Sequence, residues 1–121
     1  MKLSLLVVFI LSTVLSFGQE VEYVKYYKGT ASVYSDNLRG HTMANGQPYI
    51  PEAFTCATLL YPLGTLLWVY HNGSQTEVIV ADRGPFVKGR IIDLSKAAAE
   101  ALDLHGIGHV EITEVRAGPV E

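Results

Sequence analysis

The segment formed by residues 78–95 most constrains how this chain can fold. It contains two short runs rich in β-branched residues, and each run has an aspartate, Asp82 or Asp93, at or near its C-terminal end. Gly84 and Pro85 follow Asp82 closely, and this pair predicts a turn between the two runs. Two short strands that each present a carboxylate beside a turn suit a binding or catalytic site. They suit a structural ion pair as well, because Arg83 lies next to Asp82.

The remaining pattern predicts a small domain of short strands. Asn72-Gly73 indicates a hairpin, and Ser95 is the expected N-cap of a single helix over residues 95–104, which Gly106 would end. The chain shows no regular alternation of strands and helices, so an antiparallel-rich or mixed β-barrel is expected. Strands are predicted at residues 28–34, 66–71, 77–81, 91–94 and 110–115, with a short apolar segment at 54–60.

The longest predicted connection covers residues 35–51. It is rich in glycine, asparagine, aspartate and proline, and turns are expected at residues 37–40 and at Asn45-Gly46. A loop of this length inside a compact domain usually carries function. Residues 35–51 are therefore a candidate part of the site.

The first 18 residues have the pattern of a secretory signal peptide. Lys2 is their only charge, residues 3–15 are almost entirely apolar, and Ser16 and Gly18 supply small residues before a cleavage point. The apolar run is short for a membrane span, although an uncleaved N-terminal anchor is the alternative. We expect cleavage near Gly18, secretion to the periplasm or the exterior, and no stable membrane anchor. The predicted organisation is a signal peptide (1–18), a lead-in (19–27), one folded domain (28–116) and a C-terminal tail (117–121).

Charge and cysteine content exclude several classes of function. The formal net charge is −3, and loss of Lys2 with the signal peptide makes it more negative, which disfavours nucleic-acid and anionic-lipid partners. Cys56 is the only cysteine, so neither an intramolecular disulfide nor a cysteine-based zinc site is expected, and we predict a buried apolar role for it. The histidine spacing predicts no metal site. We expect a monomer without metal or cofactor.

Five segments, in order, resemble the RlpA-like (rare lipoprotein A) family of double-psi β-barrel domains, and the resemblance covers about residues 28–116. The segments are residues 29–36 (GTASVYSD), 44–46 (ANG), 61–65 (YPLGT), 82–86 (DRGPF) and 90–95 (RIIDLS). The resemblance implies an all-β fold, a six-stranded double-psi barrel with one short α-helix. It also implies a cell-envelope protein that acts on peptidoglycan. The family includes lytic transglycosylases that cut glycan strands lacking peptide stems, and the more distant expansins loosen walls without hydrolysis.

The resemblance carries over the catalytic residues only in part. In members reported to be active, a glutamate follows Ala-Asn-Gly and a histidine stands eleven positions later, whereas this chain has Gln47 and Thr58 there. An amide cannot transfer protons as general acid or base, and a threonine cannot replace an imidazole near neutral pH. The aspartate of the family's Asp-Arg-Gly-Pro segment is present as Asp82, which the resemblance makes the catalytic candidate. Asp93 is the other possible proton-transfer group, and weak or absent turnover is expected. The substrate-binding candidates are Gln47, Thr58, Asp93, Arg83 and Asn45.

Two of these candidates have structural alternatives. Asp93 precedes the predicted helix and can act as a capping carboxylate there. Arg83 can equally brace a loop. For the whole domain, the sequence predicts a lytic transglycosylase of doubtful activity on peptidoglycan glycan strands. The alternatives are a non-catalytic, expansin-like glycan-binding or wall-loosening module, and a module that binds a peptide in the barrel groove.

Overall fold

The structure is a computed structural model that describes residues 25–116. The predicted signal peptide (1–18), most of the lead-in and the tail (117–121) lie outside the described residues. No helix within residues 25–116 is both long and apolar enough to cross a membrane.

Six strands close into a barrel, which confirms the predicted all-β fold with one short α-helix. The order around the barrel is β1-β5-β2-β4-β3-β6. The β1–β5 and β2–β4 pairs are parallel and the other pairs are antiparallel. The strands are β1 (Tyr26–Val33), β2 (Thr55–Ala57), β3 (Leu66–His71), β4 (Ser74–Asp82), β5 (Arg90–Leu94) and β6 (Gly108–Glu114).

Alternate residues of the strands fill the barrel interior. Successive side chains of a strand point to opposite faces, and two alternate residues in each of β3, β4, β5 and β6 are buried. Cys56 of β2 belongs to the same core with no exposed surface, as predicted. The inward-facing residues of these four strands are Leu67, Val69, Val78, Val80, Ile92, Leu94, Val110 and Ile112.

The predicted hairpin and helix both form, with one correction. Asn72 and Gly73 have positive φ angles of 47° and 83°, the geometry of the two-residue turn that joins twisted antiparallel strands. Helix α1 spans Lys96–Ala101 and is capped by Ser95, whose side chain accepts from the Ala98 N–H. It ends earlier than predicted, because Leu102 is its C-cap and Asp103 takes a positive φ of 53°.

The long connection between β1 and β2 contains a second ordered unit. After a 3₁₀ turn at Asp36–Leu38, residues 40–49 fold back on themselves, and we call this segment the flap. Its two sides are joined by hydrogen bonds from the Tyr49 N–H to the His41 carbonyl (2.7 Å) and from the Met43 N–H to the Gln47 carbonyl (2.8 Å). Met43 and Tyr49 are buried with Ala81 of β4 in a small second core, which holds the flap against the barrel.

Candidate functional site

Strand register brings Asp82 and Asp93 to opposite sides of one residue. Strand β2 lies between β4 and β5, and Ala57 pairs with Asp82 on one side and with Asp93 on the other. Because neighbouring strands lie about 4.8 Å apart, the Cα atoms of the two aspartates are separated by about 10 Å. Only the methyl side chain of Ala57 lies between them in the register. The two β-branched runs of the sequence therefore place their carboxylates near each other.

Asp82 anchors the flap. Its Oδ1 accepts hydrogen bonds from the backbone N–H of Ala44 (2.8 Å) and of Arg83 (2.9 Å), and its Oδ2 accepts one from the Tyr34 hydroxyl. A carboxylate has about four acceptor positions, so three of them are occupied and one remains for a ligand. Asp82 thus combines a structural role with a limited capacity to bind one donor.

Tyr34 has a role that sequence reasoning missed. Burial, the hydrogen bond to Asp82 and the negative charges of Asp82 and Asp93 together raise the pKa of Tyr34 far above its ordinary value. The phenol therefore stays protonated and donates to Asp82. Its ring also contacts the ring of Tyr49 in the flap, with a centroid distance of 4.6 Å. The only sequence signal for Tyr34 was its position in the first family-like segment, residues 29–36.

Only one oxygen of the Asp93 carboxylate accepts a hydrogen bond from the described residues. Its Oδ1 accepts from the Ser32 hydroxyl, its register partner on β1. Its Oδ2 accepts no hydrogen bond from any residue in the described part of the chain. The alternative interpretation of Asp93 as a helix cap is wrong, because the Ser95 hydroxyl oxygen accepts from the Ala98 N–H at 3.3 Å and caps α1. Asp93 therefore has more free acceptor capacity than Asp82.

Asn45 and Gln47 lie at the tip of the flap, and both are exposed. The Asn45 N–H donates to the Ala81 carbonyl (3.1 Å), which ties the tip to the end of β4 beside Asp82. The Asn45 side-chain oxygen accepts from the Gln47 N–H (2.9 Å) and shapes the turn. The Gln47 amide group has no hydrogen-bond partner among residues 25–116, so it is available to a ligand.

Thr58 belongs to the scaffold in this structure. Its side chain is completely buried, donates to the Ile91 carbonyl (2.8 Å) and accepts from the Leu60 N–H (3.2 Å). Without exposed surface it cannot contact a substrate, so we do not retain Thr58 among the candidate binding residues. Sequence position alone could not show this burial.

Arg83 does not pair its guanidinium with Asp82. Its Nη2 donates to the Thr58 carbonyl and to the Tyr61 carbonyl (2.9 Å), so it braces the connection between β2 and β3. Arg83 also lines an open pocket of about 370 Å³ with Tyr61 and its neighbours. Within residues 25–116, no cluster of three or more histidine, cysteine, aspartate or glutamate side chains could hold a metal ion.

Solved structures similar to this chain include an inhibitor and an expansin. The Streptomyces papain inhibitor matches with a TM-score of 0.60 at 24% identity, over 76% of this chain and 96% of the inhibitor, and at that identity it shows the fold alone. The apo expansin of Clavibacter michiganensis matches with a TM-score of 0.60 at 28% identity, over 80% of this chain and 53% of the expansin. A single-substitution mutant of that expansin, solved in complex with cellohexaose, matches with a TM-score of 0.58 at 27% identity, over 79% of this chain and 54% of the mutant.

Curated relatives carry the name endolytic peptidoglycan transglycosylase RlpA. The protein of Pasteurella multocida is 46% identical over 88 residues, covering 69% of this chain and 30% of the relative. The protein of Yersinia pestis is 40% identical over 93 residues, covering 75% of this chain and 26% of the relative. This chain thus spans about a third of its relatives' length or less. The model of the family described as lytic transglycolase matches residues 26–114. The chain therefore belongs to the RlpA-like lytic transglycolase family, and its described part is a double-psi β-barrel.

Proposed function

We propose that this domain binds glycan strands of peptidoglycan at the flap tip and the two aspartates, and that it cleaves them slowly or not at all. The name that the relatives carry supports a peptidoglycan ligand. The complex of an expansin with cellohexaose supports a glycan as the bound polymer. Export of the chain after cleavage near Gly18, and action as a monomer, belong to the same proposal.

One observation carries the weak-turnover part of this proposal. Both oxygens of Asp82 already accept hydrogen bonds from within the protein. A general acid must hold its proton on an oxygen directed at the glycosidic oxygen, and it must later take a proton back. Asp82 offers one acceptor position to a sugar hydroxyl instead. The nearby Gln47 can add amide hydrogen bonds but cannot transfer protons.

The second candidate function is glycan cleavage through Asp93. Its Oδ2 is free among the described residues, whereas Asp82 is engaged on both oxygens. A single carboxylate can act first as acid and then as base. The Asp93→Asn variant separates the two functions, because it would abolish any cleavage that depends on this carboxylate while leaving the Asp82 contacts to the flap in place.

Sedimentation with insoluble peptidoglycan tests the binding site. We expect Asp82→Asn to weaken binding about tenfold, since a charged hydrogen bond contributes about 1.5–3 kcal/mol. The melting temperature should fall, because the amide cannot keep the charged hydrogen bond from the Tyr34 hydroxyl, so binding is compared at a temperature where both proteins are folded. The matched control is Glu100→Gln, which neutralises an exposed carboxylate on α1. Equal binding by the Asp82→Asn variant and the unmodified protein would contradict the proposed site.

Mass spectrometry of soluble products tests the weak-turnover part. The unmodified protein should release anhydro-muramyl products slowly or not at all from stem-free glycan strands. Gln47→Glu should release them faster, because it adds a carboxylate at the exposed flap tip without disturbing a side-chain contact. Rapid release by the unmodified protein would contradict the proposal and would favour Asp93 as the proton-transfer group.

A further inference from the structure

Arg83 is a partly buried cation without an acidic partner among residues 25–116. The ion pairs in this part of the chain join Arg39 to Glu52, Lys96 to Asp36 and His105 to Asp103. Asp82 accepts only from the backbone N–H of Arg83, not from its guanidinium. Arginines that are withdrawn from water are normally paired with an acid. The unpaired guanidinium of Arg83 therefore favours an anionic ligand.

The guanidinium is held in a fixed orientation. Its Nη2 donates to the carbonyls of Thr58 and Tyr61. A guanidinium carries five N–H donors, so the three on Nε and Nη1 remain without a partner in the described chain. Every two-donor edge of a guanidinium includes Nη2, so these three N–H groups can each donate a single charge-assisted hydrogen bond to a carboxylate oxygen. Because the guanidinium plane is already fixed, the Arg83 side chain would lose little conformational entropy when a ligand binds.

The walls of the pocket indicate what accompanies the anion. The pocket has a volume of about 370 Å³, is open to solvent, and is lined by Leu59, Leu60, Tyr61 and Pro62 beside Arg83. An inorganic anion would leave the apolar side chains facing water. A carboxylate on a short aliphatic arm would pair with the guanidinium and cover the leucine and proline surfaces as well.

The pocket adjoins the candidate glycan site. Thr58, whose carbonyl holds the guanidinium, donates its own N–H to the Asp82 carbonyl at 3.2 Å. We propose that this pocket binds a carboxylate on a short aliphatic arm of the glycan, chemistry that the lactyl ether of a muramyl sugar provides. The inference rests on the proposed function and deepens it, since it makes Arg83 a specificity-determining residue for acidic sugars.

Calorimetry with three soluble glycans of equal length tests the ligand side. The first contains muramyl sugars with free lactyl carboxylates, the second has those carboxylates converted to amides, and the third contains only N-acetylglucosamine. We expect the free carboxylate to bind about tenfold more tightly than the amide, since hydrogen bonds to charged groups are the stronger ones. The preference should shrink as the salt concentration rises.

A matched pair of variants tests the protein side. Leu59 is 53% exposed and forms no hydrogen bond to Arg83, so its replacement leaves the bracing contacts intact. Leu59→Glu places a competing carboxylate in the pocket and should remove the preference for the free-carboxylate glycan. The glutamine of Leu59→Gln has nearly the same shape as the glutamate of Leu59→Glu but carries no charge. The Leu59→Gln variant should therefore retain the preference for the free-carboxylate glycan.

The outcomes separate this inference from the proposed function. Equal binding of all three glycans would overturn the carboxylate pocket while leaving glycan binding intact. Binding of none would overturn the proposed function and this inference together. Tighter binding of a short peptide with a free C-terminal carboxylate than of the muramyl glycan would also overturn it, because the pocket would then serve a peptide.

Discussion

At the scale of single residues, the site depends on hydrogen bonds that occupy three of the about four acceptor positions of the Asp82 carboxylate. Tyr34 lies 48 positions away in the chain, yet its hydroxyl and the Ala44 N–H bind the two oxygens of this carboxylate. Tyr34 also packs against Tyr49, so one side chain positions both the carboxylate and the flap. The catalytic expectation for Asp82 stays a prediction, and the contacts that the structure shows for it are those of an anchor.

Tyr34→Phe should destabilise the domain by about 2 kcal/mol and weaken glycan binding. The variant keeps the ring against Tyr49 but removes the donor to the Asp82 carboxylate, and hydrogen bonds to charged groups contribute about 1.5–3 kcal/mol. Urea unfolding measures the stability. The matched control is Tyr26→Phe, which removes a hydroxyl bonded to Glu111 on the exposed surface and should cost clearly less. Equal losses in the free energy of unfolding for the two variants would contradict a special contribution of the Tyr34–Asp82 hydrogen bond to stability.

At the scale of elements, α1 and the flap are too small to be stable by themselves. A six-residue helix is well below the length at which isolated helices persist in water, so α1 depends on its cap and its packing. Ala98 and Ala99 are buried in the barrel core. The flap depends in the same way on the burial of Met43 and Tyr49 and on its bond to Asp82.

Ser95→Ala should destabilise the domain by about 1–2 kcal/mol. The fully buried Ser95 side chain accepts from the buried Ala98 N–H and the part-buried Thr55 N–H, both at 3.3 Å. Its loss removes the capping acceptor of the Ala98 N–H, whereas the Thr55 N–H keeps its hydrogen bond to the Ala53 carbonyl at 3.2 Å. Chemical denaturation measures the change. Ser35→Ala is the control, because Ser35 caps the exposed 3₁₀ turn and accepts from the Asn37 N–H at 3.2 Å. A larger loss for Ser35→Ala than for Ser95→Ala would contradict the importance of the α1 cap.

At the scale of the whole molecule, closure of the barrel leaves no unpaired strand edge among the six strands. Strand β2 is only three residues long but pairs with β4 and β5, so it cannot leave without opening the barrel. A small single domain of this kind should unfold cooperatively.

Cys56 provides a test of that cooperativity. Burial raises the pKa of the Cys56 thiol well above its ordinary value, although the charge of Arg83 partly opposes the shift. A thiol reagent at pH 8 should therefore label Cys56 only after global unfolding, since the thiolate is the reactive form. The labelled fraction should follow the denaturant transition seen by circular dichroism. Fast labelling in the absence of denaturant would mean that β2 opens locally.

The sequence alone determined the features that depend on neighbouring residues. The bounds of β3, the Asn72-Gly73 hairpin and the Ser95 cap were predicted because strand alternation, turn geometry and helix capping act over a few residues. The five family-like segments predicted the barrel. Tertiary structure decided the burial of Thr58 and the contact between Tyr34 and Asp82. It also directed the Arg83 guanidinium to two carbonyls instead of its neighbouring carboxylate. These contacts join residues that are distant in the chain, and their partners are set by the register and order of the closed strands.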